Sequence, residues 1–278
     1  MSLQICSLNS GSNGNCYYIG NSSEAVLIDA GLSARETERR MKLRGLSVEK
    51  VKAIFVSHEH ADHISGVPGL SKKHQLSVYI TGQTLRNSNI PIEEHLVNDF
   101  RHAQPIVIGS LKITPFKKSH DAADPHSFVV SGNSTNVGII TDIGFACKRV
   151  LKYFSQCHAA FLESNYCDEM LRNGSYPYHL QERIRGDEGH LSNAQALELF
   201  QHYKSPELQL LILSHLSKNN NKPELVERIF SSHAGNTKIV IASRYEAGEV
   251  FNLEKKAILK PTFMKNRKSP DKQQLSLF

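Results

Sequence analysis

Short apolar runs, most of them ended by a polar residue, recur along the N-terminal third of the chain and predict strands. We expect these strands at residues 3–8, 15–19, 24–28, 51–56 and 77–80. The small polar residues at 10–15 predict a turn between the first two. Ser33 is placed to cap a charged helix that runs to about Leu43, and residues 66–74 predict a second helix. A short helix should follow the fifth strand.

The rest of the chain repeats this order of strands followed by helices. Further strands are expected near residues 106–108, 111–116, 127–131, 136–141, 158–162, 209–213, 238–242 and 249–253. Further helices are expected near residues 145–154, 168–173, 179–185, 192–203 and 223–232. No change of composition separates the two halves. The pattern therefore predicts one α/β (α+β) domain in which two sheets pack together with helices outside.

The composition is that of an ordinary globular protein. The chain has 278 residues and a mass of 31.1 kDa, with 40% hydrophobic and 22% charged residues, which leaves room for one large domain. A net charge of +6 and a pI near 9.0 give a mild basic excess. This excess is compatible with a polyanionic substrate but does not demonstrate one.

Two features of the sequence predict a cytoplasmic protein with no membrane partner. The first residues lack the basic and apolar segments of a signal peptide, and no apolar run approaches the ~18 residues that span a bilayer. The chain has an odd number of cysteines with no CxxC pair, as expected of reduced thiols. The five are Cys6, Cys16, Cys147, Cys157 and Cys167. They are poor candidates for nucleophiles or metal ligands.

Residues 56–63 (Val-Ser-His-Glu-His-Ala-Asp-His) carry the clearest chemistry, directly after an apolar run. Residues two apart at an extended strand end point the same way, so His58 and His60 can converge on one cation. Asp62 and His63, beyond the bend, are free to face a second. Imidazole nitrogen with carboxylate oxygen suits zinc and tolerates manganese or iron. The alternative is a polar loop that is merely rich in histidine.

Other polar residues also stand at the ends of predicted strands, where sites in α/β folds are usually built. Because one short cluster cannot supply all the ligands of two ions, further ligands are expected among them. The candidates with suitable side chains are Asp29, His120, Asp142, Glu163 and His215. Taken singly, each is also compatible with an ordinary surface or turn residue.

Over residues 1 to about 255 the chain resembles the metallo-β-lactamase superfamily. The resemblance lies in the order and approximate spacing of Asp29, the cluster at 58–63, His120, Asp142 and His215. The resemblance implies an αββα sandwich, with two mixed β-sheets flanked by helices, that holds two divalent metal ions, Zn or Mn, with Fe also suitable. It assigns His58, His60 and His120 to the first ion. It assigns Asp62, His63 and His215 to the second, with Asp142 bridging the two. Asp29 would orient the ligand loop through hydrogen bonds without binding metal.

The superfamily hydrolyses thioesters, lactams and phosphodiesters, so the fold alone does not choose a reaction. Glu163, followed later by Gly189-His190-Leu191-Ser192, resembles a pair in tRNase Z in which the glutamate steadies a histidine that protonates the leaving oxygen. By this resemblance His190 and Glu163 join Asp62, which would orient the attacking hydroxide, as catalytic residues. The alternative is that Ser192 only caps the following helix and His190 is solvated.

Three motifs together resemble the YycJ/WalJ branch, bacterial proteins associated with 5′-to-3′ DNA exonuclease action and mismatch repair. The motifs are residues 10–15, residues 176–178 with 189–193, and residues 214–220. The resemblance implies nucleic acid, and DNA in particular, as the partner. Four basic residues near predicted site loops could meet its phosphates: Lys118, Arg183, Arg185 and Lys218. Each could equally be a solvated surface charge.

The last eighteen residues differ from the rest of the chain. A hydrolase domain is expected over residues 1–260, and residues 261–278 form a polar, basic tail that we expect to be flexible. The tail ends in residues that resemble the bacterial sliding-clamp-binding motif: Gln274, Leu275, Leu277 and Phe278. Docking on a clamp would raise the local concentration of the enzyme at replicating DNA. A fold-back of the tail onto the domain is the alternative.

The sequence therefore predicts a binuclear phosphodiesterase, specifically a DNA exonuclease. Three alternatives stay open: a thioester hydrolase of the glyoxalase II type, an RNA-processing nuclease, and a non-enzymatic adaptor that retains a degenerate site. The C-terminal quarter shows no obvious helical glutathione-binding domain, which weighs against the thioester hydrolase. The complete set of candidate ligands weighs against the adaptor.

Overall fold

The computed structural model describes residues 2–254, which form two mixed seven-stranded sheets. The first sheet is built from β1 (Leu3–Asn9), β2 (Cys16–Gly20), β3 (Ala25–Ile28), β4 (Val51–Phe55), β5 (Ser77–Tyr79), β6 (Val97–Asn98) and β14 (Phe251–Leu253). The second is built from β7 (Ile106–Ile108), β8 (Leu111–Lys117), β9 (His126–Gly132), β10 (Thr135–Ile140), β11 (Ala159–Glu163), β12 (Leu210–Ser214) and β13 (Lys238–Ile241). In spatial order the first sheet begins with β14 and continues from β1 to β6, and the second runs from β13 down to β7.

Helices cover the outer face of each sheet. The N-terminal half contributes α1 (Ala34–Leu43), α2 (Ala61–Ile64), α3 (Val67–His74) and α4 (Gly82–Ser88). The C-terminal half contributes α5 (Lys148–Phe154), α6 (Asp168–Asn173), α7 (Tyr178–Arg185), α8 (Asn193–Tyr203) and α9 (Pro223–Ser231). One buried apolar cluster lies between the sheets, and one lies between each sheet and its helices. The predicted αββα sandwich of two mixed sheets is confirmed.

The apolar runs become strands because the inner strands are buried on both faces. In β3, Val26 and Ile28 pack between the sheets while Leu27 packs under the helices. In β12, Leu210 and Ile212 face inward while Leu211 and Leu213 face the helices. A parallel strand that is covered on both sides requires such a continuous apolar run. The burial stops where the strand ends, so the next polar residue marks the end of the strand.

Serine caps fix where two helices begin, as the sequence predicts. The Ser33 hydroxyl accepts a hydrogen bond from the Glu36 backbone N–H at the start of α1. Ser192 and Gln195 form a reciprocal capping box at the start of α8. Each cap satisfies backbone donors that the first turn of a helix leaves free. The cap at Ser192 also fixes the direction of the chain that leads in from His190.

Some elements differ from the prediction. Asp62 and His63 lie in the one-turn helix α2, whereas the sequence predicts a loop there. The helix expected from residue 145 begins only at Lys148, after a turn through Phe145. The two-residue strand β6 and short 3₁₀ turns at Val48–Lys50 and Glu94–Leu96 are too short to show a periodic pattern.

The tail prediction cannot be compared with the structure. The boundary between residues 260 and 261 lies outside the described residues. So do the proposed clamp-binding residues, which are Gln274, Leu275, Leu277 and Phe278. Both stay predictions from the sequence. Within residues 2–254 there is no helix with the length and apolar character needed to cross a membrane.

Candidate active site

Polar residues from both sheets meet at one edge of the sandwich, where parallel strands end. Asp29 follows β3, Asp142 comes two residues after β10, and His215 follows β12. All three have left-handed backbones, with φ of 59°, 55° and 55°. Aspartate and histidine tolerate this conformation better than branched residues do. Such uncommon conformations cluster at functional sites.

Three imidazoles form the first group of candidate metal ligands. In His58, His60 and His120, one nitrogen of each ring lies within 4.8 Å of the others. His58 Nε2 and His60 Nδ1 are 3.1 Å apart. His120 Nδ1 is 3.1 Å from the Gly189 carbonyl, to which it can donate, so Nε2 is left to face the other two rings. That Nε2 is buried and has no hydrogen-bond partner within residues 2–254.

A second group of donors lies beside the first. His63 Nε2 is 3.5 Å from Asp62 Oδ2, and His215 Nε2 is 3.9 Å from the same oxygen. Asp142 is shared: its Oδ2 lies 3.4 Å from His63 Nε2, and its Oδ1 lies 2.8 Å from His215 Nδ1. Asp142 also forms a close donor group with His58 and His63, and another with Glu163 and His215. One carboxylate thus links the two sets of imidazoles.

Asp29 supports this cluster from below. Its carboxylate accepts hydrogen bonds from the Ser57 backbone N–H at 2.7 Å and from the Ser57 hydroxyl at 2.8 Å. It also lies 2.7 Å from His63 Nδ1, to which that ring can donate. This contact occupies Nδ1 of His63, so its Nε2 is the nitrogen that faces Asp142. The geometry is that of an outer carboxylate that orients a ligating histidine and the loop that carries it.

The protonation of the cluster suits metal binding. Burial lowers the pKa of His58 well below its ordinary value and lowers the pKa of His120 to about 2, so both rings are neutral. At His63, burial opposes the charged ring, but three carboxylates outweigh it and raise the pKa. Burial would raise the pKa of Asp142, yet His215 and His63 hold it well below its ordinary value. Neutral imidazole and ionised carboxylate are the forms that bind metal ions. His58, His120 and Asp142 therefore already have the binding form, whereas the ring of His63 would give up a proton when a cation binds.

The donor set therefore fits divalent cations. It combines imidazole nitrogens with carboxylate oxygens. The buried Nε2 of His120 has no hydrogen bond within the described part of the chain, although Asp121 Oδ1 lies 3.5 Å away. The structure brings together all the residues that the sequence nominates as ligands: His58, His60, Asp62, His63, His120, Asp142 and His215.

Glu163 and His190 form a separate pair at the rim of the cluster. His190 Nδ1 lies 2.7 Å from Glu163 Oε1, and Glu163 Oε2 accepts a hydrogen bond from the Ile143 backbone N–H at 2.7 Å. Although burial disfavours the charged form of His190, Glu163 and the nearby carboxylates outweigh it and raise the pKa. His190 Nδ1 is 4.0 Å from Asp142 Oδ1, so the pair lies directly beside the metal ligands. The ring of His190 is 23% exposed, lines the cavity and is held by Glu163, so its role in the reaction stays a prediction.

A cavity of about 320 Å³ opens above the donors. His60, Asp62, Asp142, His190 and His215 all line it. Helix α7 forms one wall through Leu180, Arg183 and Ile184. A substrate that enters this cavity meets the candidate metal ligands and His190 together.

The four basic residues nominated from the sequence occupy different places. Lys118 is buried, and its Nζ donates to the Thr141 carbonyl at 2.8 Å, so the prediction that it meets substrate phosphates is wrong. Arg183 lines the cavity and pairs with Asp121 at 2.6 Å. Arg185 pairs with Glu182, and Lys218 lines a neighbouring cavity.

Two residues that contact Asp62 in the site were not predicted from the sequence as site residues. Asn15 Nδ2 donates to Asp62 Oδ2 at 3.0 Å and lies 3.0 Å from His63 Nε2. Gly31 leaves no room for a side chain, because a Cβ there would lie 1.7 Å from the Asp62 carbonyl oxygen. The run of small polar residues around Asn15 gave a turn signal, and nothing local linked it to Asp62.

A four-layer αββα sandwich with a histidine and aspartate cluster at the strand ends defines the class of metal-dependent hydrolases. The family described as the beta-lactamase superfamily domain matches residues 24–216. The chain is also 33% identical to exodeoxyribonuclease YycJ of Bacillus anthracis, over 91% of this chain and 95% of that protein. It is 32% identical to exodeoxyribonuclease WalJ of Streptococcus pneumoniae, over 78% of this chain and 83% of that protein. The chain therefore belongs to the beta-lactamase superfamily and, within it, to the YycJ/WalJ family.

A solved structure agrees with this assignment at the level of the fold. The metallo-beta-lactamase fold protein YhfI from Bacillus subtilis superposes with a TM-score of 0.70 at 16% identity, over 91% of this chain and all of that one. At that identity the likeness concerns the arrangement of sheets and helices. The fold implies divalent metal ions, and the donor cluster described above is where they would bind.

Proposed function

We propose that this protein is a binuclear metal-dependent phosphodiesterase that acts on DNA as an exonuclease, with 5′-to-3′ polarity by family likeness and a place in replication or mismatch repair. The observation that carries the choice of reaction is the Glu163–His190 pair, 2.7 Å apart beside Asp142. An alkoxide leaving group needs a proton, and this pair stands where a proton is needed. The family names, exodeoxyribonucleases YycJ and WalJ, support DNA as the substrate.

In this proposal seven residues hold two divalent ions. His58, His60 and His120 hold the first, and Asp62, His63 and His215 the second, with Asp142 shared between them. Zinc and manganese suit these ligands best, and iron suits them too. When bound, such a pair of ions lowers the pKa of a water molecule and offsets negative charge on the phosphate oxygens.

The side chains of the protein do the rest. Asp62 lines the cavity and is held by Asn15, so its carboxylate can orient the attacking water. Because Nδ1 of His190 is bound by Glu163, its Nε2 is the nitrogen left to protonate the departing oxygen. Asp29 keeps His63 in place, and α7 closes one side of the cavity against bulk water.

The proposal includes a sliding clamp as a protein partner through the C-terminal tail. It rests on the sequence of the last residues: Gln274, Leu275, Leu277 and Phe278. A tether of this kind raises the local concentration of an enzyme on its substrate without new base contacts. A peptide of residues 274–278 that fails to bind the clamp would remove this part of the proposal.

Hydrolysis of two model esters separates the proposed reaction from the thioester alternative. Because a bound pair of ions would activate water and offset negative charge on the phosphate oxygens, we expect the metal-loaded protein to cleave bis(p-nitrophenyl) phosphate much faster than a model thioester. EDTA should remove this activity, and added Zn²⁺ or Mn²⁺ should restore it. Thioester turnover without phosphodiester turnover would refute the proposal.

A further inference from the structure

A second cavity, of about 280 Å³, adjoins the active-site cavity behind His215. Ser217 lines both cavities, so the short loop after β12 is the wall between them. The hydroxyl of Ser10, which lines the second cavity, accepts a hydrogen bond from the His215 backbone N–H at 2.8 Å. The volume of this second cavity is near the lower end of the range for small-ligand sites. A group bound here would therefore be a close neighbour of the candidate metal ligands.

The lining of this cavity combines two cations with an exposed aromatic ring. Lys218 and Arg244 supply the charge, and Tyr245 is 70% exposed although it lies at the cavity. Arg244 Nη2 donates to the Ser12 hydroxyl at 3.0 Å, and Ser12 lines the active-site cavity. Arg244 Nη1 is buried and has no hydrogen-bond partner within residues 2–254. This guanidinium N–H is therefore available to an acceptor from outside residues 2–254, such as a water molecule or a ligand.

We propose that this cavity is a nucleotide subsite, which binds the nucleotide next to the scissile phosphate with its base stacked on Tyr245. The neighbouring phosphate would accept hydrogen bonds from Arg244 and attract Lys218. This inference rests on the function proposed above, and it adds the position at which the DNA strand leaves the active-site cavity. Aromatic stacking with a cationic groove is the usual way that proteins hold unpaired nucleic acid without reading its sequence.

The proposal has a consequence for the form of the substrate. A base can stack on Tyr245 only when it has left its own neighbours, so the strand must be unpaired at this position. We therefore expect the protein to need a single-stranded end of at least two nucleotides. A substrate that fills only the active-site cavity should gain nothing from the second one.

Substitution of Tyr245 tests the subsite with two substrates. In Tyr245→Ala we expect KM for an oligothymidylate to rise roughly tenfold, while kcat/KM for bis(p-nitrophenyl) phosphate stays unchanged. Tyr245→Phe keeps the ring and should keep the KM of the natural protein. Tyr203→Ala is the matched control, because Tyr203 is 43% exposed and lines neither cavity. An unchanged KM for the oligonucleotide in Tyr245→Ala, or an equal loss on both substrates, would overturn the inference.

Fluorescence of 2-aminopurine gives a second readout that does not depend on turnover. We place the probe at successive positions of a phosphorothioate oligonucleotide, whose linkages resist hydrolysis, and add the metal-loaded protein. Quenching at one position near the end, lost in Tyr245→Ala and kept in Tyr245→Phe, supports the subsite. Equal quenching in Tyr245→Ala would overturn it. If the natural protein leaves bis(p-nitrophenyl) phosphate intact, the function proposed above fails, and binding of the probe then judges the subsite alone.

Discussion

Asp142→Asn should lose phosphodiesterase activity by at least about a thousandfold. Its two carboxylate oxygens face different histidines, one toward His63 at 3.4 Å and the other toward His215 at 2.8 Å. The substitution removes the negative charge shared by both halves of the cluster but keeps the shape of the side chain. Asparagine also tolerates the left-handed backbone at this position, where φ is 55°. Steady-state kinetics and elemental analysis of the purified variant check the result.

The same substitution at another aspartate provides the control. Asp124 pairs with Lys117 at 2.9 Å and belongs to none of the three close donor groups found within residues 2–254. Asp124→Asn should therefore keep two bound ions and full activity. If Asp142→Asn also keeps two tightly bound ions and near-normal turnover, Asp142 does not join two ion sites.

His190→Ala should slow DNA hydrolysis by ~10²–10⁴-fold, the usual contribution of a positioned proton donor. Metal content should stay as in the natural protein, because His190 belongs to none of the close donor groups among residues 2–254. The loss should be much smaller with bis(p-nitrophenyl) phosphate. Its nitrophenolate departs without needing a proton, whereas the alkoxide of a DNA strand needs one. The ratio of the two losses therefore measures proton donation rather than general damage.

His179→Ala is the matched control for that experiment. His179 is an exposed histidine on α7 and does not line the active-site cavity, so neither substrate should be affected. Loss of metal from His190→Ala would show that His190 is a ligand. Equal losses on both substrates would show that it positions the site without giving up a proton.

The strands were predictable because burial on both faces leaves a local mark. In β3 and β12 every residue between the edges is apolar or small, and the first polar residue locates the sheet edge. That edge is where Asp29 and His215 lie. A local pattern could therefore nominate both residues without any knowledge of the partners that they meet.

Other parts of the site depend on contacts between distant segments. Tyr166 and Ser192 form a parallel bridge, and Asn165 N donates to the Leu191 carbonyl at 2.9 Å, which brings the chain around His190 beside the end of β11. Sequence spacing does not encode such a bridge. Only family likeness could pair Glu163 with His190 in advance.

The burial of Lys118 shows that a local pattern can also give a wrong prediction. A lysine beside a predicted strand end reads as a solvated cation, yet here it is only 5% exposed. Burial lowers its pKa, while Asp142 and three further carboxylates favour the charged form. Its ammonium group donates to the Thr141 carbonyl, next to Asp142. No single-sequence pattern could predict this position, because it depends on how many carboxylates converge around it.

Hydrolysis of end-labelled DNA, single-stranded and double-stranded, beside RNA of the same sequence tests the proposed function most directly. The protein is first freed of metal and then assayed with Zn²⁺, Mn²⁺ or Fe²⁺. We expect metal-dependent shortening of DNA from one end, starting from single-stranded termini, with RNA cut much more slowly. No cleavage of DNA with any of the three metals, while RNA or a thioester is turned over, would contradict the proposal.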